Sequence, residues 1–95
     1  MKTKQKPIIS NMQSDNGNPV PNQFLVNDGK YTHFKSYGTY IAREDNNSGR
    51  IEVDADNWSY SRTTLKYLCK FLRLPNKKAI EQAIKNNKLT LTELN

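Results

Sequence analysis

The sequence has one cysteine, Cys69, one histidine, His33, and one tryptophan, Trp58, in 95 residues. A single cysteine closes no internal disulfide, which excludes a secreted disulfide scaffold and points to a reducing compartment. One His and one Cys fall short of a structural zinc site, which takes four ligands. No apolar run approaches the roughly 20 residues of a membrane helix. Lys2, Lys4 and Lys6 are not followed by the apolar stretch of a signal peptide. No glycine-rich loop leads from a strand into a helix, so the phosphate-cradling motifs are missing. The expected location is therefore the cytoplasm, without membrane association.

Acids are scarce where bases are dense. The net charge is +6, but it is unevenly placed. Residues 22–57 carry four Lys or Arg against six Asp or Glu, whereas residues 58–88 carry eight against Glu81 alone. The basic region coincides with the strongest helix signal. Leu65, Leu68, Cys69 and Leu72 fall at the i, i+3, i+4, i+7 spacing of an apolar helical face. Ser61 is a suitable N-cap, and Pro75 disfavours helical geometry at Leu74. On another face Arg62, Lys66, Lys70 and Arg73 form a stripe with no acid among them. Beyond the proline, Asn76 caps a second predicted helix with Ile80, Ala83 and Ile84 as its stripe. Lys77 and Lys78 in its first turn oppose the helix dipole.

Residues 1–21 are polar, turn-rich and aperiodic, which predicts a flexible tail before a single domain over 22–95. Gln23–Asn27 reads as a strand and Asp28-Gly29 as a type I′ hairpin turn. Lys30–Ser36 alternates, and Tyr37-Gly38 reads as a bulge or bend before Thr39–Arg43 continues the same strand. Asp45–Gly49 is a turn, and Arg50–Asp54 alternates again. Leu89 and Leu91 suggest a closing strand at the sheet edge. The expected fold is α+β: an antiparallel sheet of three to four strands, a meander plus a C-terminal strand, packed against two helices. Its expected core is Phe24, Val26, Phe34, Ile41, Ile51, Val53, Leu65, Leu68, Cys69, Leu72, Ile80 and Ile84.

Four runs in this order, FKSYGTYIA, IEVD, WSYSRTTLKYLCKFL and KNNKLTLTELN, resemble a small uncharacterised domain family of phage genomes. Its motifs are F-x-S-Y-x-x-x-I-A and W-x-Y-S-x-T-T-x-K-Y, and the resemblance covers roughly residues 22–95. It implies a phage or mobile-element origin, an α+β domain and a bacterial host cell. It implies no activity and supplies no site residues.

The residues themselves argue for contact rather than catalysis. Cys69 falls on an apolar helix face and His33 on a strand, not as a nucleophile–base pair. Asp54 and Asp56, two apart, have the spacing of a carboxylate pair but also that of turn and capping residues. No catalytic residue, metal ligand or cofactor is assigned. The stripe Arg62, Lys66, Lys70 and Arg73, extended by Lys77 and Lys78, is the candidate nucleic-acid-binding surface, because each neutralised phosphate releases counterions. Tyrosines 31, 37, 40, 60 and 67 offer stacking surface for single strands. The blander account is a solvated lysine face with tyrosines at the sheet rim. The competing function is inhibition of a host protein, for example a defence-system protein, with an acidic or nucleic-acid-binding surface.

Overall fold

The computed structural model describes residues 7–95. Six strands and two helices follow in the order β1 (Ile8–Gln13), β2 (Pro19–Asn27), β3 (Tyr31–Ser36), β4 (Thr39–Asp45), β5 (Ile51–Asp54), α1 (Arg62–Leu72), α2 (Lys77–Lys85) and β6 (Leu89–Thr92). They form one sheet in the order β1-β2-β3-β4-β5-β6. Neighbours run antiparallel except β5 and β6, which are parallel. The two helices between β5 and β6 carry the chain back to the end from which it left. A closing strand entered after such a crossover runs parallel to its neighbour.

The α+β class matches the expectation, with more strands than the three to four expected. One reason is Tyr37-Gly38. Tyr37 (φ 50°) and Gly38 (φ 82°) both have positive φ, the requirement of a two-residue type I′ turn. The expected bend is therefore a hairpin reversal, and the expected single strand is β3 plus β4. The Asp28-Gly29 hairpin is displaced by one residue. The Asp28 N–H donates to the Tyr31 carbonyl, and Gly29 (φ 95°) lies at the loop centre. The Asp28 carboxylate accepts from the backbone N–H groups of Tyr31 and Lys30 and meets His33 Nε2 at 2.9 Å. The Tyr31 bond and then His33 hold its pKa down at about 2.

The other reason is the expected tail. Ile8–Gln13 pairs with β2 along its length, and residues 19–21 open β2. A register irregularity between Asn11 and Gln13 accompanies the burial of Met12 in the core. The three apolar residues of IISNMQ, Ile8, Ile9 and Met12, do not alternate, so the bulge hides the strand from a pattern search. The tail expected over residues 1–6 lies outside the described residues. Deleting residues 1–18 removes β1 and Met12, and should lower the chemical-denaturation midpoint clearly. An unchanged midpoint would show that β1 contributes nothing to the fold.

The core joins Phe34, Ile41, Ala42 and Val53 from the sheet to Tyr67, Leu68, Leu72, Ile80 and Ala83 from the helices, with Met12 and Leu89 at its margins. Ile41 is the extra residue of a bulge, since Phe34 pairs with Ala42 and Lys35 with Tyr40. That local kink lets consecutive residues both be fully buried. Phe24 and Val26, expected in the core, alternate with Leu25 on the face turned away from the helices. Phe24, Ile51, Leu65, Cys69 and Ile84 are half-buried. Gln23 is fully buried, and both polar atoms of its side chain lack a hydrogen-bond partner. Gln23→Met keeps the shape without the polar atoms, and should raise stability by about 1–3 kcal/mol. A lower denaturation midpoint for that variant would contradict this account of the site.

Candidate nucleic-acid interface

Two polar anchors set the position of α1. Ser61 caps it, accepting the Thr64 N–H at 3.1 Å. The buried Thr64 hydroxyl meets Ser61 Oγ at 2.9 Å and Ser36 Oγ of β3 at 2.8 Å. This hydroxyl chain allows a threonine to lie fully buried under the helix. The buried face is Thr64, Tyr67, Leu68 and Leu72, with Phe71 stacked on Phe34 at a centroid distance of 5.9 Å. Compared with the expected face at Leu65, Leu68, Cys69 and Leu72, the helix is turned by nearly one residue step, about 100°. The large rings of Tyr67 and Phe71 bury more surface than Leu65 and Cys69 would, and the Thr64 network removes the cost of turning that way.

This rotation matters for the basic stripe. At about 100° per residue, the mean direction of Arg62, Lys66, Lys70 and Arg73 lies roughly 170° from that of the buried side chains. All four residues are exposed. The stripe therefore leaves the helix on the side opposite the buried face, although Lys70 bends back to the end of β1 and, with Arg73, lines a depression at the core's rim beside Met12 and Leu25.

The helix ends in a tight cap. Arg73 takes the left-handed conformation (φ 60°, ψ 39°). The Leu74 N–H donates to the Cys69 carbonyl at 3.0 Å, and the Arg73 N–H to the Lys70 carbonyl at 3.3 Å. This is the Schellman pattern, with arginine where glycine is usual. A left-handed non-glycine residue costs roughly 1–2 kcal/mol. Arg73→Gly should accordingly raise stability by roughly 0.5–1 kcal/mol, seen as a higher thermal midpoint. A fall in the midpoint would mean that the Arg73 side chain makes a compensating contact.

Beyond this cap, Pro75 and Asn76 turn the chain into α2, whose first turn is capped by the Asn76 side chain on the Ala79 N–H. The elbow encloses an open cleft of about 570 Å³ lined by Lys66, Cys69, Lys70, Arg73, Leu74 and Pro75. Three of the four stripe cations thus meet around one depression. Arg62 lies one turn before Lys66, outside the cleft. Lys77 and Lys78 are exposed on α2 and do not line it. Burial pushes the Cys69 thiol up from its ordinary pKa.

Two acids approach the stripe: Glu44 of β4 lines a depression together with Lys70 and Arg73, and the other comes from the segment expected to be a tail. Asp15, in the β1–β2 loop, forms an ion pair with Lys70 Nζ at 2.5 Å. The hydrogen bond from Lys70, and then the charges of Lys70 and Lys66, hold the Asp15 carboxyl below its ordinary pKa. Among the described residues this is the only ion pair made by the stripe.

The other candidates lie apart. His33 is on the open sheet face with Tyr31 and Tyr40, at ring-centroid distances of 5.8 and 5.3 Å. Cys69 is in the helical layer on the other side of the sheet, so the fold does not bring the two together. Asp54 is buried and accepts from the Leu94 N–H and Asn57 Nδ2, which fastens the C-terminal segment to the end of β5. Asp56 is exposed. Among the described residues no three His, Cys, Asp or Glu side chains group as a metal site, and no helix is long and apolar enough to cross a membrane. Of the five tyrosines, Tyr67 is buried, Tyr31 and Tyr40 are half-buried, and Tyr37 and Tyr60 are exposed.

Comparison with known proteins places the chain in a group without an assigned activity. A family model described as a family of unknown function (DUF8033) matches residues 2–87. The chain belongs to this family. The DUF8033 match takes in almost all of the first 21 residues, in keeping with the strand they contribute. No curated protein and no solved structure matches the chain.

Proposed function

We propose that this is a small, non-catalytic protein of phage type that acts in the host cytoplasm by binding nucleic acid through the outward face of α1. The observation that supports this reading is the gathering of Lys66, Lys70 and Arg73 around a single open cleft, with Arg62 one turn away. A stripe that merely kept the protein solvated would gain nothing from lining one depression. Six basic residues, Arg62, Lys66, Lys70, Arg73, Lys77 and Lys78, make up the proposed surface. The first four form its centre, and Lys77 and Lys78 extend it along α2. The test is a salt titration of binding to a mixed-sequence duplex and to a single strand. Binding should be measurable at about 50 mM salt and weaken linearly on a logarithmic salt axis. No binding at that salt would sink the reading.

A second reading, inhibition of a host protein, is supported by a different surface. Ile8 and Ile9 on the edge strand β1 are 68% and 64% exposed, and an uncharged edge strand is a template for strand addition by another chain. This account expects a host protein retained despite nuclease treatment and released by Ile8→Lys together with Ile9→Lys.

A further inference from the structure

We infer that the cleft at the α1–α2 elbow takes an unstacked nucleotide of a single strand, with its phosphates on Lys66, Lys70 and Arg73 and its base on the floor of Cys69, Leu74 and Pro75. This inference rests on the nucleic-acid reading of the α1 face and adds which form of nucleic acid that face selects. Three features carry it. The volume of about 570 Å³ falls within the range of small-ligand sites. Three cations line the cleft and no acid does, so its charge complements phosphate. Half of the lining side chains, Cys69, Leu74 and Pro75, are apolar and contribute nothing to holding a phosphate.

That apolar floor is the feature that a plain phosphate-binding stripe would not need. A duplex keeps its bases stacked inside and offers mainly backbone to the protein outside its grooves. A single strand can splay a base out and lay it on an apolar or aromatic surface. The elbow is also held in place before any ligand arrives. The Schellman bonds fix Arg73 and Leu74, the proline ring fixes Pro75, and the Asn76 cap fixes the turn that follows. A preformed floor loses little freedom on binding. Asp15, paired with Lys70 from the neighbouring loop, is a carboxylate that an incoming phosphate must share or displace, and Glu44 stands on the other side of Lys70 and Arg73 in a neighbouring depression.

The expected order of affinity is therefore single strand above duplex, although the duplex has the higher charge density and would win on electrostatics alone. The full-length protein supplies its own reporter, because Cys69 is its only cysteine and lines the cleft. Its alkylation by an uncharged maleimide can be timed alone and with each of three probes. These are a mixed single strand of about 12 nucleotides, the same strand with every base removed, and the matching duplex, a length within the usual range of single-strand sites. The intact single strand should slow alkylation at saturation. It should also bind at least about fivefold more tightly than the abasic strand, the lower end of what one stacked base contributes. Arg73→Gly should weaken single-strand binding severalfold while the protein stays folded. Equal affinity for intact and abasic strands, or Cys69 alkylated at an unchanged rate under a saturating strand, would overturn the inference while leaving a phosphate-binding stripe intact. Binding by none of the three probes would remove the inference together with the reading beneath it.

Discussion

Leu68→Ala should cost about 2–5 kcal/mol, the range for deleting a fully buried leucine side chain. Leu68 is completely inaccessible and lies in the core cluster between α1 and the sheet. Removing three of its carbons leaves a hole between elements held in place by other contacts: the Ser61–Thr64–Ser36 hydroxyls at the start of α1 and the Phe71–Phe34 stack further along. With those anchors kept, the helix has little freedom to collapse into the space. A domain of this size has a total stability of about 5–15 kcal/mol, so the variant loses a large part of it. Each kcal/mol moves the thermal midpoint by about 4–8 °C at this length. Leu65→Ala is the matched control. Leu65 is half-buried, and truncating it should cost clearly less. Equal costs at the two positions would restore the helix register expected from the leucine spacing and contradict the one observed.

Replacing Arg62, Lys66, Lys70 and Arg73 together by glutamine should preserve the fold and reduce nucleic-acid affinity by orders of magnitude at low salt. The fold is expected to survive because all four residues are exposed and none belongs to the core cluster. Their removal also relieves like-charge repulsion at i, i+4, a matter of tenths of a kcal/mol. Each duplex phosphate that the variant no longer neutralises should flatten the slope of log K against log salt by about 0.9. The structure adjusts that count. Lys70 is already engaged by Asp15, so its pairing with a phosphate replaces an existing ion pair instead of adding a new one. The slope should therefore change by an amount closer to three phosphates than to four. Asp15→Asn frees Lys70 and should strengthen binding in the parent protein. A slope unmoved by the four substitutions would place any nucleic-acid binding elsewhere on the molecule.

These two predictions depend differently on what is legible in the sequence. The helices are legible because their caps, apolar period and the proline between them are local signals that agree. The basic stripe is legible for the same reason, since residue spacing alone fixes which side chains share a helical face. The strands are only partly legible. A Tyr-Gly pair suits a bulge as well as a type I′ turn, and only the positive φ of Tyr37 decides between them. The bulge at Ile41 and the irregularity beside Met12 each shift the inward–outward alternation by one residue, which erases the period-2 pattern used to find strands.

By itself, then, the sequence determined that two capped helices carry a concentrated positive charge beside a mildly acidic set of strands. Those properties depend on residue identity and on separations of a few positions. The tertiary structure decided how α1 is rotated on the sheet, because that choice weighs Tyr67, Phe71 and Thr64 against Leu65 and Cys69 in contact with residues of β3. It also decided that the polar N-terminal stretch supplies an edge strand and the Asp15 partner of Lys70, 55 positions away. Contacts between such distant positions depend on the closed fold, and no local pattern encodes them. The cleft at the α1–α2 elbow is local by contrast, lined by Lys66, Cys69 and Lys70 of one helix and by Arg73, Leu74 and Pro75 of the turn that ends it.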